Sequence, residues 1–200
     1  MVRLHPGQPA AEDAHPEAAG PAGREPLTRT LVLGGTRSGK SRFAEDLLPA
    51  EAPVRYVATA RRSAGDPEWS ARIDVHRARR PATWTTLEDV DVAAVVRAGG
   101  GVLIVDDLAT WLTGVLDDAG AWEASAVPPA VGAAVDELVA AVAAAPDRVV
   151  LVSAEVGLGV VPETRAGRLF RDELGALNAA LAAVCDEVVL LVAGLPLRLK

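Results

Sequence analysis

Cysteine is almost absent: Cys185 stands alone in a chain of 200 residues. One thiol can close no internal disulfide and build no thiolate-cage zinc site. In its apolar helical surroundings it reads as a core residue. Long apolar runs are missing too. No stretch reaches the roughly 18 uncharged apolar residues of a membrane-spanning helix. Arg3 is not followed by the apolar core of a secretory signal, so a cytoplasmic protein with no transmembrane segment is expected. Positive charge is the minority sign. The net charge of −7 argues against a nucleic-acid-binding surface over the whole protein. Histidine is scarce, and two of the three, His5 and His15, fall in MVRLHPGQPAAEDAHPEAAGPAGREPL. That stretch is rich in Pro, Ala, Gly and Glu and lacks an apolar period. Its composition predicts a disordered extension over residues 1–27, then a single domain over residues 28–200.

What is present is apolar material in short pieces. Half of the residues are hydrophobic, 50%, ample for a buried core. Residues 31–33, 54–58, 102–105, 148–152 and 187–192 read as strands. Residues 41–48, 136–145 and 164–184 read as helices. Continuous β-branched runs without alternation belong to strands covered on both faces. The strand–helix alternation predicts an α/β fold with a doubly wound, mostly parallel sheet and helices on both faces. Residues 195–200, after the Gly194 turn, are expected to add an antiparallel edge strand. In such sheets ligands sit beyond the carboxyl ends of the strands. That rule selects Gly34 to Ser41, residues 59–61, Asp106 with Asp107, and Glu155 with Gly157 and Gly159.

The densest signal is TLVLGGTRSGKSRFAEDLL, from Thr30. An apolar strand runs into Gly34, Gly35, Thr36, Arg37, Ser38, Gly39, Lys40 and Ser41, and a helix-compatible segment follows. This is a P-loop in its proper context. Glycines let backbone N–H groups turn inward around phosphate oxygens where a Cβ would resist. Lys40 supplies a point charge for the β- and γ-phosphates, and the Ser41 hydroxyl can ligate Mg²⁺. A nucleoside triphosphate is the expected ligand. Asp106 ends an apolar strand as a Walker B carboxylate does and can hold the Mg²⁺ shell opposite Ser41. Asp107 points the other way in an extended strand.

A second cluster, ARIDVHRARRPATW, holds Arg72, Arg77, Arg79 and Arg80 around His76, the one histidine after residue 27. In an acidic protein these arginines form a local anion-binding patch. A solvated helix face or a partner-binding patch is the alternative. Guanidinium neighbours favour a neutral imidazole, which can act as base or nucleophile toward phosphorus. For the VGLGVVP loop two readings stand, a structural turn or a mobile loop over substrate. Arg165, Arg168 and Arg171 are either a solvated face or a contact for substrate phosphate. Trp69, Trp84, Trp111 and Trp122 read as packing residues.

Four blocks together carry a family resemblance: LVLGGTRSGKSRFAE; YVATA followed by ARIDVHRARRPATWTTLE; IVDDLATWL; and VSAEVGLGVVPETRAGRLFRDELGALN. In order and spacing they resemble the bifunctional adenosylcobinamide kinase/adenosylcobinamide-phosphate guanylyltransferase family of cobalamin synthesis. The resemblance implies a recombinase-like P-loop NTPase fold and a homo-oligomer, typically a trimer. It implies phosphorylation of adenosylcobinamide with ATP or GTP, then transfer of GMP from GTP to adenosylcobinamide phosphate through a guanylyl-histidine. By the same match His76 is the nucleophile and Lys40 a catalytic residue. Nucleotide contacts then fall on Gly34 to Ser41, Thr59, Ala60, Arg61, Arg77, Ala78, Arg79, Arg80, Glu88 and Asp106, with Mg²⁺ at Ser41 and Asp106. The chain departs from the family pattern at Ala154, Gly114 and Ala179. A kinase with a structural His76, or a nucleotide-dependent switch, are the competing readings.

Overall fold

The computed structural model of the chain describes residues 28–61, 65, 71, 73, 74, 77, 78 and 80–200. The expected extension over residues 1–27 therefore lies outside the described residues. One sheet organises the rest. Its strands are β1 (Arg29–Gly34), β2 (Arg55–Ala58), β3 (Thr85–Glu88), β4 (Leu103–Asp106), β5 (Val149–Ala154), β6 (Glu187–Val192) and β7 (Leu195–Arg198). They lie in the order β3-β2-β4-β5-β1-β6-β7. Every pairing is parallel except β6 with β7, which is antiparallel, as the Gly194 turn predicts. Ala193 (φ 51) and Gly194 (φ 83) make that turn. Two positive φ values match the twist of a tight hairpin.

The helices described along their whole length are α1 (Lys40–Asp46), α2 (Val92–Ala98), α3 (Leu108–Asp118), α4 (Pro129–Ala143) and α5 (Arg165–Val184). Alternation along the strands divides the core in two. Leu31, Leu33, Val57, Leu103, Val105 and Leu151 meet the leucines of α3, α4 and α5 on one face. Val32, Tyr56, Ala58, Ile104, Val150 and Val152 meet Ala44, Leu48 and Trp84 on the other. Both faces of the central strands are thus covered, the reason their sequence shows no polar alternation. Leu112, Leu116, Leu138, Leu174, Leu177 and Leu181 are fully buried, each contributing about 2 kcal/mol through its apolar area. Cys185 is a buried free thiol, pushed up to about 11 by burial. Among the described residues no helix is long and apolar enough to cross a membrane.

Several elements differ from the sequence reading. β3 is a short half-exposed strand, TTLE, with no apolar run to announce it. α2 and α3 start on aspartate caps: Asp91 accepts from the Ala94 amide and Asp107 from the Thr110 amide. Each cap satisfies one orphan N–H of a first turn. α4 begins earlier than residue 136, because Pro129 occupies the first helical position, where its missing N–H costs nothing.

Candidate active site

β1 delivers the chain to the P-loop at its carboxyl end. The loop then folds back on itself, with the Ser38 amide donating to the Gly35 carbonyl at 3.2 Å. Gly34 has no room for a side chain. A Cβ there would lie 2.4 Å from Ser38 Oγ and 3.1 Å from the Leu191 carbonyl oxygen. Gly39, at φ 90, caps α1 in the left-handed region, which glycine alone adopts freely. From below, the β6–β7 turn supports the loop: the Gly194 amide donates to the Ser38 carbonyl at 3.1 Å.

The loop opens on a cavity of about 400 Å³. Arg37, Lys40, Arg42 and Arg80 give it positive charge, and Ser38, Gly39, Ser41, Ala60, Ile73 and Asp106 also line it. No acidic residue sits in the first turn of α1. A cationic concavity in a protein of net charge −7 concentrates anions by focusing its field. β5 lies between the P-loop strand and the strand that ends in Asp106. Even so, Ser41 Oγ donates to Asp106 Oδ1 at 3.1 Å. A hydroxyl and a carboxylate side by side are hard oxygen donors. Among the described residues no three His, Cys, Asp or Glu side chains gather into a metal cage. Two protein oxygens completed by substrate phosphates and water suit Mg²⁺, which keeps waters and is rarely caged by protein alone.

The carboxylate has a second partner. The Tyr56 hydroxyl donates to Asp106 Oδ2 at 2.5 Å. Tyr56 is fully buried. Burial first, then the Asp106 charge and the hydrogen bond to it, push its phenol far above the usual range. The Arg80 guanidinium stacks on the Tyr56 ring, 3.7 Å from the centroid. Its Nη1 donates to Thr86 Oγ1 at 3.0 Å. Trp84 closes the group, its ring centroid 6.2 Å from that of Tyr56. Sequence reasoning did not single out Tyr56. The available signal was a hydroxyl-bearing ring in a strand covered on both faces, where a Tyr O–H needs a partner.

The other expected contacts lie apart. Thr59 braces the strand ends, its Oγ1 donating to the Asp107 carbonyl at 2.6 Å. Arg61 pairs with both oxygens of Asp118 at 2.8 and 2.6 Å. Those bonds raise the Arg61 pKa and lower that of Asp118. Thr59 and Arg61 line a second cleft of about 460 Å³. A Cβ at position 114 would meet the Arg61 guanidinium at 3.0 Å, so the Gly114 departure makes room for Arg61. Glu88 faces Arg77 at 4.0 Å, outside both cavities, with partly exposed side chains. Ala78 is exposed. Asp107 does not lie apart: it caps α3 and also lines the P-loop cavity beside Asp106. His76, Arg72, Arg79 and Trp69 lie outside the described residues.

The loop after β5 is braced rather than loose. Glu155 accepts from the Gly157 amide at 2.6 Å, and Arg171 donates to the Gly157 carbonyl at 3.1 Å. Arg168 donates to the carbonyls of Pro162 and Glu163, and Arg165 to that of Trp122. The three arginines thus bind backbone oxygens. Leu158 and Val160 project outward, 82% and 96% exposed.

The family profile described as cobinamide kinase / cobinamide phosphate guanyltransferase matches residues 30–199. The bifunctional adenosylcobalamin biosynthesis protein CobP of Pseudomonas aeruginosa is 45% identical over 179 residues, covering 86% of this chain and 97% of that protein. The bifunctional adenosylcobalamin biosynthesis protein CobU of Escherichia coli is 40% identical over 181 residues, covering 85% of this chain and 98% of that protein. Among solved structures, the assembled ATPase EscN of the enteropathogenic E. coli type III secretion system is 13% identical with a TM-score of 0.47, covering 83% of this chain and 43% of that chain.

Proposed function

The chain belongs to the cobinamide kinase / cobinamide phosphate guanyltransferase family, and from that premise we infer that it carries out both reactions in turn. The observation that carries the reading is the cationic P-loop cavity in which Lys40, Ser41 and Asp106 meet. In the first reaction ATP or GTP gives its γ-phosphoryl group to the terminal hydroxyl of the aminopropanol arm of adenosylcobinamide. Lys40 and Arg80 counter charge spread over the transferring group, and the P-loop amides cradle the phosphates. Ser41 and Asp106 would hold Mg²⁺, which supplies charge neutralisation for the phosphate oxygens when bound.

In the second reaction an imidazole nitrogen of His76 attacks the α-phosphorus of GTP. A P–N bond forms, the bond from that phosphorus to the bridging oxygen breaks, and pyrophosphate leaves. A phosphate oxygen of adenosylcobinamide phosphate then attacks the same phosphorus and the P–N bond breaks, giving adenosylcobinamide-GDP and free histidine. Gly34, Gly35 and Thr36 belong to this reading as nucleotide contacts of the P-loop. Thr59, Arg61, Arg77, Ala78, Arg79 and Glu88 belong to it as nucleotide contacts on the family resemblance alone, Thr59 and Arg61 lining the second cleft.

A homo-oligomer, as a trimer, is part of the same proposal. It is supported by apolar side chains left in solvent on the loop at Leu158, Val160 and Val161 and along the hairpin at Leu195, Leu197 and Leu199, which a second copy of the chain could cover. The cytoplasm is the proposed location, where nucleotide substrates are plentiful. The test gives the purified chain adenosylcobinamide with γ-labelled and then α-labelled GTP. Label from the first is expected on the corrinoid as phosphate, and label from the second on protein and then on adenosylcobinamide-GDP. Absence of γ-label transfer would overturn the kinase assignment.

A further inference from the structure

Of the two oxygen donors at the cation site, Asp106 has the softer terminal torsion. A carboxylate at a strand end rotates broadly about its last bond. Both of its oxygens are nonetheless occupied: Oδ1 by Ser41 at 3.1 Å and Oδ2 by Tyr56 at 2.5 Å. The two donors differ in kind. Ser41 lines the cavity, whereas Tyr56 is fully buried in the core formed with Ala58, Ile104 and Trp84. The register explains the reach. Ala58 pairs with Asp106 and Tyr56 with Ile104, so Tyr56 and Asp106 share a face, and the small Ala58 between them leaves the phenol a clear path. The opposite side of the same phenol also has a task. Arg80, a member of the cavity wall, rests on its ring at 3.7 Å.

We propose that Tyr56 is the positioning residue of this site: its hydroxyl fixes the Asp106 carboxylate for a divalent cation beside Ser41, and its ring seats Arg80 on the wall of the same cavity. The proposal rests on the nucleotide site described under Proposed function. The Tyr56 hydrogen bond reaches the carboxylate from the core, whereas Ser41 reaches it from the cavity lining, so a cation arriving beside Ser41 does not displace the phenol. Removing its hydroxyl takes away the hydrogen bond that the core supplies to Oδ2, and the remaining phenyl ring of Tyr56→Phe offers no donor in its place. The carboxylate then turns toward the cavity and loses its aim. Arg80 is held differently, by a face-on contact whose strength depends on the ring and not on the hydroxyl.

Tyr56→Phe separates these effects, since it keeps the ring and deletes the donor. GTP binding is measured by calorimetry in EDTA and along a Mg²⁺ titration. The expected result is a nucleotide affinity in EDTA within twofold of the wild type and a half-saturating Mg²⁺ concentration raised about tenfold. A merely structural tyrosine would lower the melting temperature and leave the Mg²⁺ titration within twofold, which overturns the proposal. If wild type shows no Mg²⁺-dependent nucleotide binding, the nucleotide site itself fails and the proposal with it. Tyr56 is the only tyrosine of the chain, so 3-fluorotyrosine labelling gives a single ¹⁹F resonance without substituting the residue. That resonance should move along the Mg²⁺ titration of the GTP complex with the calorimetric midpoint. A resonance unmoved at saturating Mg²⁺ contradicts the proposal even where Tyr56→Phe fails to fold.

Discussion

Gly34→Ala adds one methyl group at the point where strand becomes P-loop. The new Cβ would lie 2.4 Å from Ser38 Oγ, 3.1 Å from Ser38 Cβ and 3.1 Å from the Leu191 carbonyl oxygen. Strand β1 cannot slide away, because Gly34 is paired with Ala154 on one side and Leu191 on the other. The Glu155 amide also binds the Gly34 carbonyl at 3.1 Å. The loop must therefore give, and with it the amides that face the cavity. Overpacking of this kind costs about 1–3 kcal/mol. Expressed wholly in the phosphate cradle, it weakens nucleotide binding by about 5- to 150-fold. Calorimetric titration with GTP and Mg²⁺ reads the affinity, and thermal melting checks that the sheet survives. Ser38→Gly in the same chain removes both Ser38 atoms from the clash and should restore a large part of the lost affinity, with the Leu191 contact left to limit recovery. Affinity within twofold of wild type for Gly34→Ala, or no recovery in the double variant, would refute the steric argument.

Three further outcomes follow from the same geometry. Asn178→Ala deletes the acceptor of the Ser153 hydroxyl at 2.6 Å and the donor to the Ala154 carbonyl at 3.0 Å, so unfolding in urea should show a loss of about 2–4 kcal/mol, of which Asn178→Leu combined with Ser153→Ala recovers only the part due to the Ser153 hydroxyl, the Ala154 carbonyl staying without its donor. Asp186 is held down to about 2 by the hydrogen bonds from the Arg29 side chain and backbone. Its folded value is depressed, so its stabilisation is present above about pH 4, the unfolded value, and is lost as pH falls from there through about 2. The pair is partly exposed, so Asp186→Asn should flatten that acid limb by about 1 kcal/mol and leave both transfer rates unchanged. Lys40→Ala should bind nucleotide and fail at γ-phosphoryl transfer by about 3 kcal/mol or more, read from initial rates.

Features written in neighbouring residues were legible. The spacing of Gly34, Gly39, Lys40 and Ser41 encodes the loop locally, and the apolar run before Asp106 encodes the strand that carries it. The Gly194 hairpin was legible because turn chemistry is local as well. What escaped detection depends on distant partners. Tyr56 reaches Asp106 fifty residues on only because β2 pairs with β4. Arg61 turns away from the P-loop cavity because Asp118 and a bare Gly114 receive it on α3. β3 has the polar sequence TTLE and becomes a strand only beside β2. Helix α2, VAAVVRA, carries three valines, and α3, LATWLTGVLDD, carries two threonines, a valine and a glycine, residues whose helical preference is weak. Their aspartate caps and the apolar face they bury decide the outcome.

The central claim is that His76 becomes covalently guanylylated. Wild type and His76→Ala are incubated with α-labelled GTP and Mg²⁺, denatured, and resolved by electrophoresis, with γ-phosphate transfer to adenosylcobinamide measured in parallel. The account predicts an acid-labile, alkali-stable label on wild type, none on the variant, and kinase activity in both. Label retained after His76→Ala, or γ-transfer lost together with the label in a folded variant, would contradict it.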